Sequence, residues 1–199
     1  MAGKTKKPMR RVGVGAQYTC FGDPLESIPF ESDITKNETV TSIETNEGGS
    51  PENVWASNKI YDVDKSGDAP VLNMENLAFD PGDLARMKGK RREGAFLISG
   101  TLDEGEKFAR GIVYPKKNGH VTYVWYPRCV LTEVSDAAQT MDDGGPNTQN
   151  PSSTIQVLPF NDENEYRVEY DTELLAEGET PLTEEEFFAA VLTEPIPEG

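Results

Sequence analysis

One histidine, two cysteines and a few acidic clusters are all that this chain offers for catalysis or metal binding. His120 stands beside a Lys-Lys-Asn-Gly stretch with no acid or nucleophile pattern near it, so it reads as a structural or solvent-facing imidazole rather than a general base. Asp62, Asp64, Ser66 and Gly67 spell the opening of a calcium loop. That loop closes with a bidentate Glu at its twelfth position. Asn73 stands there, and the flanks read as strand, so a plain turn is expected. Gly13 and Gly15 begin a dinucleotide fingerprint whose third glycine falls on Tyr18, which excludes it. Glu184, Glu185 and Glu186 open a helix, where carboxylates answer the positive end of the helix dipole. No nucleophile elbow, P-loop or H-E-x-x-H zinc motif occurs. Cys20 and Cys129 have no metal-ligand spacing and read as reduced thiols. The expectation is a protein that is not an enzyme and holds no metal and no cofactor.

Composition narrows the class. The chain has 199 residues, enough for one domain with extensions, and only 36% are hydrophobic, so part of it must be peripheral. The 18 Gly and 14 Pro point to many turns and few long helices. Of the net charge of −16, residues 161–199 hold −12, with Arg167 their one cation. Residues 1–11 go the other way with Lys4, Lys6, Lys7, Arg10 and Arg11. They read as a flexible basic arm whose charge can attract the acidic end of another subunit. The one internal basic run, Arg86, Lys88, Lys90, Arg91 and Arg92, is followed by Glu93 and reads as a solvated loop, not a phosphate-gripping face. The basic start lacks the apolar stretch of a signal peptide, and no run reaches membrane-spanning length, so a cytosolic origin and no membrane partner are expected.

The elements that would position these residues are mostly strands. Residues 12–21 read as a first strand, and 38–44 as a polar, Thr-rich one. Residues 46–53 form a loop by composition. Residues 54–64 and 69–79 read as a hairpin turning at 65–68. Asp80 can cap a short helix with Pro81 at its first position and Gly89 at its end. A strand at 94–101 follows. Residues 108–131 are the strongest local signal, two aromatic and β-branched runs around Asn118-Gly119. On the second run Val121, Tyr123 and Trp125 share one face, while Val124 and Tyr126 lie on the other. Such a strand is covered twice, by the core and by a helix or a neighbouring subunit. A polar loop at 136–151 precedes strands at 153–160 and 165–171. Thr183 and Glu186 form a capping box, Leu182 can staple onto Phe187, and Phe187, Ala190 and Val191 make an apolar stripe. The sum is a mainly β fold, an antiparallel β-sandwich or partly closed barrel with one or two short flanking helices. It divides into the arm 1–11, a β domain 12–171 and an acidic C-terminal extension 172–199 with a short helix.

The order of segments carries a resemblance. Ala56-Ser57-Asn58-Lys59 enters a hairpin, a strand runs through 71–77, and an acid-capped helix ends in Gly89. The aromatic hairpin 108–131 then leads through a polar stretch into Ser153-Thr-Ile-Gln-Val-Leu-Pro-Phe160. This layout, over about residues 12–160, resembles the major tail (tail-tube) proteins of long non-contractile-tailed phages of Gram-positive bacteria. The resemblance implies a virion structural subunit, made and assembled in the host cytoplasm. Six copies close a ring, and rings stack into a tube through which phage DNA leaves without specific binding. Its implied partners are other copies of itself, a tape measure protein and tail-terminator proteins.

Under that resemblance, residues 38–64 are the candidates for the tube wall. Glu38, Thr41 and Glu44 are expected to face the bore, Glu38 and Glu44 together if the strand is regular, with Ile43 toward the core. Lys6, Lys7, Arg10 and Arg11, with Asn46, Glu47, Gly48 and Gly49, are expected at ring-to-ring contacts. Trp125, Tyr123, Val121 and Phe108 are expected in core or subunit packing. The competing reading is a monomeric β-sandwich that binds carbohydrate or a cell surface through an exposed platform of Tyr123, Trp125 and Tyr126.

Overall fold

A computed structural model describes residues 8–46, 51–56, 59–65, 69–101, 103–135, 150–176 and 178–196, with the backbone alone for 51–56 and 59–65. In chain order the strands are β1 (Gln17–Phe21), β2 (Thr35–Asn37), β3 (Val40–Asn46), β4 (Pro51–Ala56), β5 (Lys59–Lys65) and β6 (Val71–Asn76). Helix α1 (Pro81–Met87) leads to β7 (Arg91–Glu93), β8 (Phe96–Ile98), β9 (Phe108–Pro115) and β10 (Val121–Ser135). Strands β11 (Ser152–Val157) and β12 (Val168–Asp171) and helix α2 (Glu184–Phe187) complete the described strands and α-helices, with short 3-10 turns at Lys117–Gly119 and Thr172–Leu174.

The fold is mainly β, and its frame is one antiparallel sheet of eight strands in the order β2-β1-β9-β10-β11-β6-β3, with β12 also on β10. The long β10 makes the sheet a sandwich. Its first half pairs with β9 and β12, its second half with β11, and the register slips between Tyr126 and Cys129. The slip lets the two halves of the sheet face each other. Glu38 and Thr39 alone connect β2 at one sheet edge to β3 at the other, so the edges are drawn together. Backbone bonds from β1 to β2 and from β3 to β6 flank that corner, while no ladder joins β2 to β3 among the described residues. The barrel is therefore only partly closed.

Between the halves lies a core of Phe21, Leu72, Met74, Met87, Phe108, Ile112, Val124, Tyr126, Ile155 and Val157. A second core lies on the outer side of the first half. There Ala16, Tyr18, Cys20, Ala109, Val113, Tyr123 and Trp125 pack under Phe187 and Phe188. Trp125 is fully buried and directs its indole N–H at the Phe187 carbonyl, 3.4 Å away, and the Phe188 ring stacks on Tyr18 at 4.0 Å. The double burial expected for β10 is thus met inside one chain, by α2 and the residues after it.

Local chemistry explains the turns and caps. Asp80 accepts from the Gly82 and Asp83 amides, Pro81 opens α1, and Gly89 follows it at φ 66°. Asn118 and Gly119 both take positive φ, 67° and 83°, in the turn between β9 and β10. Thr183 and Glu186 close the capping box, and Leu182 packs into the second core. Ala190, expected on the same apolar stripe, is exposed because the helix ends at Phe187 and the chain turns away; Phe188 fills the space instead.

Three strand expectations are corrected. Residues 54–64 do not pair with 69–79: β4 pairs with β5, and β6 pairs with β3 and β11. The ladder of β3 with β6 closes at Asn46 opposite Val71, and the ladder of β4 with β5 starts at Pro51 opposite Lys65. The β4–β5 ladder is thus nested in sequence within the β3–β6 ladder, where the sequence suggested that 54–64 turns back on 69–79. The first strand starts at Gln17, not at residue 12, although the Val12 and Gly15 amides still bond to β9 carbonyls. Within 94–101 only Phe96–Ile98 is strand, and it pairs with the basic run Arg91–Glu93.

Candidate functional site

The residues with catalytic potential are dispersed. The His120 ring Nδ1 lies 3.3 Å from the Thr172 hydroxyl, and no carboxylate bonds to it among the described residues. Cys20 and Cys129 are buried on opposite faces of the sheet, and burial pushes their thiols up to about 11 and about 12. Among the described residues no group of three His, Cys, Asp or Glu side chains could hold a metal ion. Asp62 and Asp64 of the calcium-like sequence lie on a strand, not between two helices, and Ser66 and Gly67 fall outside the described residues. The Glu184 carboxylate is committed to structure, accepting from the Tyr18 hydroxyl at 2.6 Å and pairing with Lys36 at 2.9 Å. Burial, then this carboxylate, raise the Tyr18 phenol to about 12.

The second half of the sheet presents a different kind of site. In an antiparallel ladder directly opposed residues point to the same side, so the register sorts its four strands into rows. One row crosses the sheet as Glu44, Asn73, Thr154 and Glu133. The next is Ser42, Glu75, Ser152 and Ser135, and a third is Asn46, Val71, Gln156 and Val130. The alternate rows hold Ile43, Leu72, Met74 and Ile155, which pack inward. Thr154 donates to the Asn73 amide oxygen at 3.2 Å and Ser42 donates to Glu75 at 3.1 Å, so the outward rows are bonded across strands. No Lys or Arg occurs in β3, β6, β11 or residues 129–135 of β10. The outcome is a pleated, mostly polar wall four strands wide, bearing carboxylates, hydroxyls and amides, with Val71 and Val130 in its third row, and no cation.

The residues expected at the bore divide over this geometry. Glu44 lies in the central row of the polar wall but on its edge strand β3, and Thr41 is exposed on the same strand with its hydroxyl on the Glu75 carbonyl at 3.1 Å. Glu38 does not share their strand. It stands in the corner before β3 and pairs with Lys36 at 3.2 Å, on the side where Lys36 meets Glu184. The even spacing of Glu38 and Glu44 fails as a guide because β3 starts at Val40 and is bulged before Ser42. Val40 and Ile43, an odd number of residues apart, both pack on the core for the same reason. Asn73, Glu75, Thr154 and Glu133 were missed, since their membership depends on pairings far apart in sequence.

The basic arm is in part laid down on its own subunit. Arg11 sits over the Tyr114 ring at 4.2 Å and 3.9 Å from Glu169, and the Met9 amide donates to Glu173 at 3.0 Å. Lys116 joins the same cluster, pairing with Asp171 and Glu173. Arg11 thus makes within the chain an attraction of the kind expected between subunits, and Met9 is tied down through its amide. The Arg10 side chain is exposed, while Lys6 and Lys7 lie outside the described residues. Asn46 is exposed at the end of β3, and Glu47, Gly48 and Gly49 lie outside the described residues.

The aromatic residues proposed as an exposed binding platform are buried: Trp125 0%, Tyr126 2% and Tyr123 7% exposed. Tyr123 and Trp125 lie under α2 and Tyr126 lies in the central core with Phe108, while Val121 is half-buried at the edge of the outer core. Among the described residues no helix is long and apolar enough to cross a membrane. No protein-family model matches the chain, and no curated protein matches it.

Proposed function

We propose that this chain is a structural subunit that polymerises into a hollow tube, the tail tube of a long non-contractile-tailed phage, with hexameric rings stacked to form the channel for DNA. The observation that carries the reading is the cation-free polar wall of β3, β6, β11 and the second half of β10. A bore that lets DNA pass must not hold phosphates, and each Lys or Arg on its wall would release counterions and bind. Carboxylates and hydroxyls leave the DNA hydrated and weakly repelled. The wall ends in β3, an edge strand with no partner on its outer side among the described residues. Open edges are completed by other strands, and closing a ring with identical subunits removes them. The ladder of β4 and β5 pairs with no other strand among the described residues, which leaves its edges available to a neighbour.

Burial of Tyr123, Trp125 and Tyr126 removes the surface on which the carbohydrate-binding alternative rested. Negative-stain imaging of the purified full-length chain over a concentration series, with sedimentation velocity alongside, tests the proposal. Rings or hollow tubes are expected. A monomer at every concentration and salt condition would overturn it.

A further inference from the structure

The hairpin of β7 and β8 has an outer face bearing Phe96 and Ile98, with nothing over it among the described residues. Its three cross-strand pairs are Arg91 with Ile98, Arg92 with Leu97 and Glu93 with Phe96. Opposed residues share a side, so Leu97 and Arg92 face one way, toward Asp80 and Pro81 at the start of α1, where all four line a shallow groove. Arg91, Glu93, Phe96 and Ile98 face the other way, and an Arg91–Glu93 ion pair of 3.3 Å lies on that side. Phe96 is 76% exposed and Ile98 41% exposed. Gly94 at the turn has open space where a side chain would stand. A two-stranded ribbon is at best marginally stable in water, and one with its largest apolar side chain in solvent gains little from folding alone.

We infer that the outer face of this hairpin, centred on Phe96 and Ile98, docks onto a second copy of this chain. Charge selects that partner. The chain carries −16, so two copies repel unless a cationic surface mediates their approach. Residues 88–93 supply four cations, Lys88, Lys90, Arg91 and Arg92, against Glu93 alone. Arg86, at the start of the run, is already engaged with Glu31 and Glu106 at 2.6 Å each. Arg92 lies on the other side of the ribbon and Arg91 pairs with Glu93, so it is the stretch as a whole, with four cations against one acid, that matches the acidic surface of another copy. A hairpin of this size covers far less than the roughly 800 Å² per partner of a stable pairwise interface. The contact therefore acts by repetition in a larger assembly, and in that respect the inference rests on the self-assembly proposed above.

The test uses the full-length chain with Phe96→Ser and, separately, Arg91→Glu, measured by sedimentation velocity and thermal melting. Both side chains are exposed, so each variant is expected to melt with the wild type while needing about tenfold or more higher concentration to associate, a loss of about 1.4 kcal/mol per contact. A photo-crosslinking phenylalanine analogue at position 96 is expected to yield a product of twice the subunit mass. Association of both variants at the wild-type concentration, a large fall in melting temperature with Phe96→Ser, or crosslinks confined to one chain would overturn the inference. If the wild type assembles and the variants assemble equally well, the hairpin contact alone fails. If the wild type never assembles, both the contact and the self-assembling function fail.

Discussion

Removing the Phe188 ring tests the seating of the C-terminal segment on the sheet. Phe188 is 4% exposed, stacks on Tyr18, and meets Trp125 edge-on at 5.2 Å. Phe188→Ala should cost about 3–5 kcal/mol, as for other fully buried aromatic truncations. A chain of this size loses about 2–4 °C per kcal/mol, so melting should fall by about 6–20 °C. Gly111 supplies an internal control. A methyl group there would stand 2.6 Å from the Phe188 ring and 3.0 Å from Trp125. Gly111→Ala alone should therefore destabilise by about 1–3 kcal/mol through overpacking. In the Phe188→Ala background the ring is gone, and the same change should cost less by at least about 0.5 kcal/mol, with the Trp125 contact keeping the remainder. Leu174→Ala, at an 86% exposed position, should leave melting unchanged. Thermal melts and denaturant titrations of the four variants measure the cycle. A Phe188→Ala protein that melts with the wild type, or additive Gly111 and Phe188 effects, would refute the docking of this segment.

Other consequences are as direct. Burial alone would raise the Asp23 carboxyl, but hydrogen bonds from Arg128 and Lys107 hold it below the usual carboxylate range. Its stabilisation is complete above the unfolded value of about 3.9 and is lost as pH falls through the lower folded value, so melting should be level from neutral pH to about pH 5 and fall below about pH 4. Asp23→Asn should flatten part of that acid slope and cost about 3 kcal/mol at neutral pH, near the low end for a broken buried pair because Arg128 and Lys107 keep some water contact. Deleting residues 1–11 should leave a folded subunit that polymerises more slowly, with turbidity in low and high salt as the readout; an unchanged rate in both would show the arm to be dispensable. Glu44→Lys with Glu133→Lys places cations in the polar wall, so assembled tubes should retain DNA in a salt-dependent manner, measured by co-sedimentation, where wild-type tubes retain none.

Local chemistry made some elements legible in the sequence. Asp80, Pro81 and Gly89 mark α1, Asn118-Gly119 marks the turn of β9 into β10, and Thr183 with Glu186 marks α2, because each signal and its structural effect lie within a few residues. The two-sided burial of β10 was also legible from Tyr123 and Trp125 opposite Val124 and Tyr126. What covers its outer face was not, since Phe187 and Phe188 come from more than 60 residues later. The same distance hid the pairing of β3 with β6 around the β4–β5 ribbon. The bulge before Ser42 depends on that pairing, so the parity argument took Glu38 to the wall when it belongs to the corner. The polar wall was therefore read only at Thr41 and Glu44, the part of it that lies on a single strand.

An electron cryo-microscopy reconstruction of the assembled chain tests the central claim most directly. The account predicts a hollow tube whose inner surface is built from β3, β6, β11 and the second half of β10, with Glu44, Asn73, Thr154 and Glu133 facing the bore and α2 on the outside of the sheet. A tube with that polar wall on its outer surface, or a bore ringed by Lys and Arg, would contradict it.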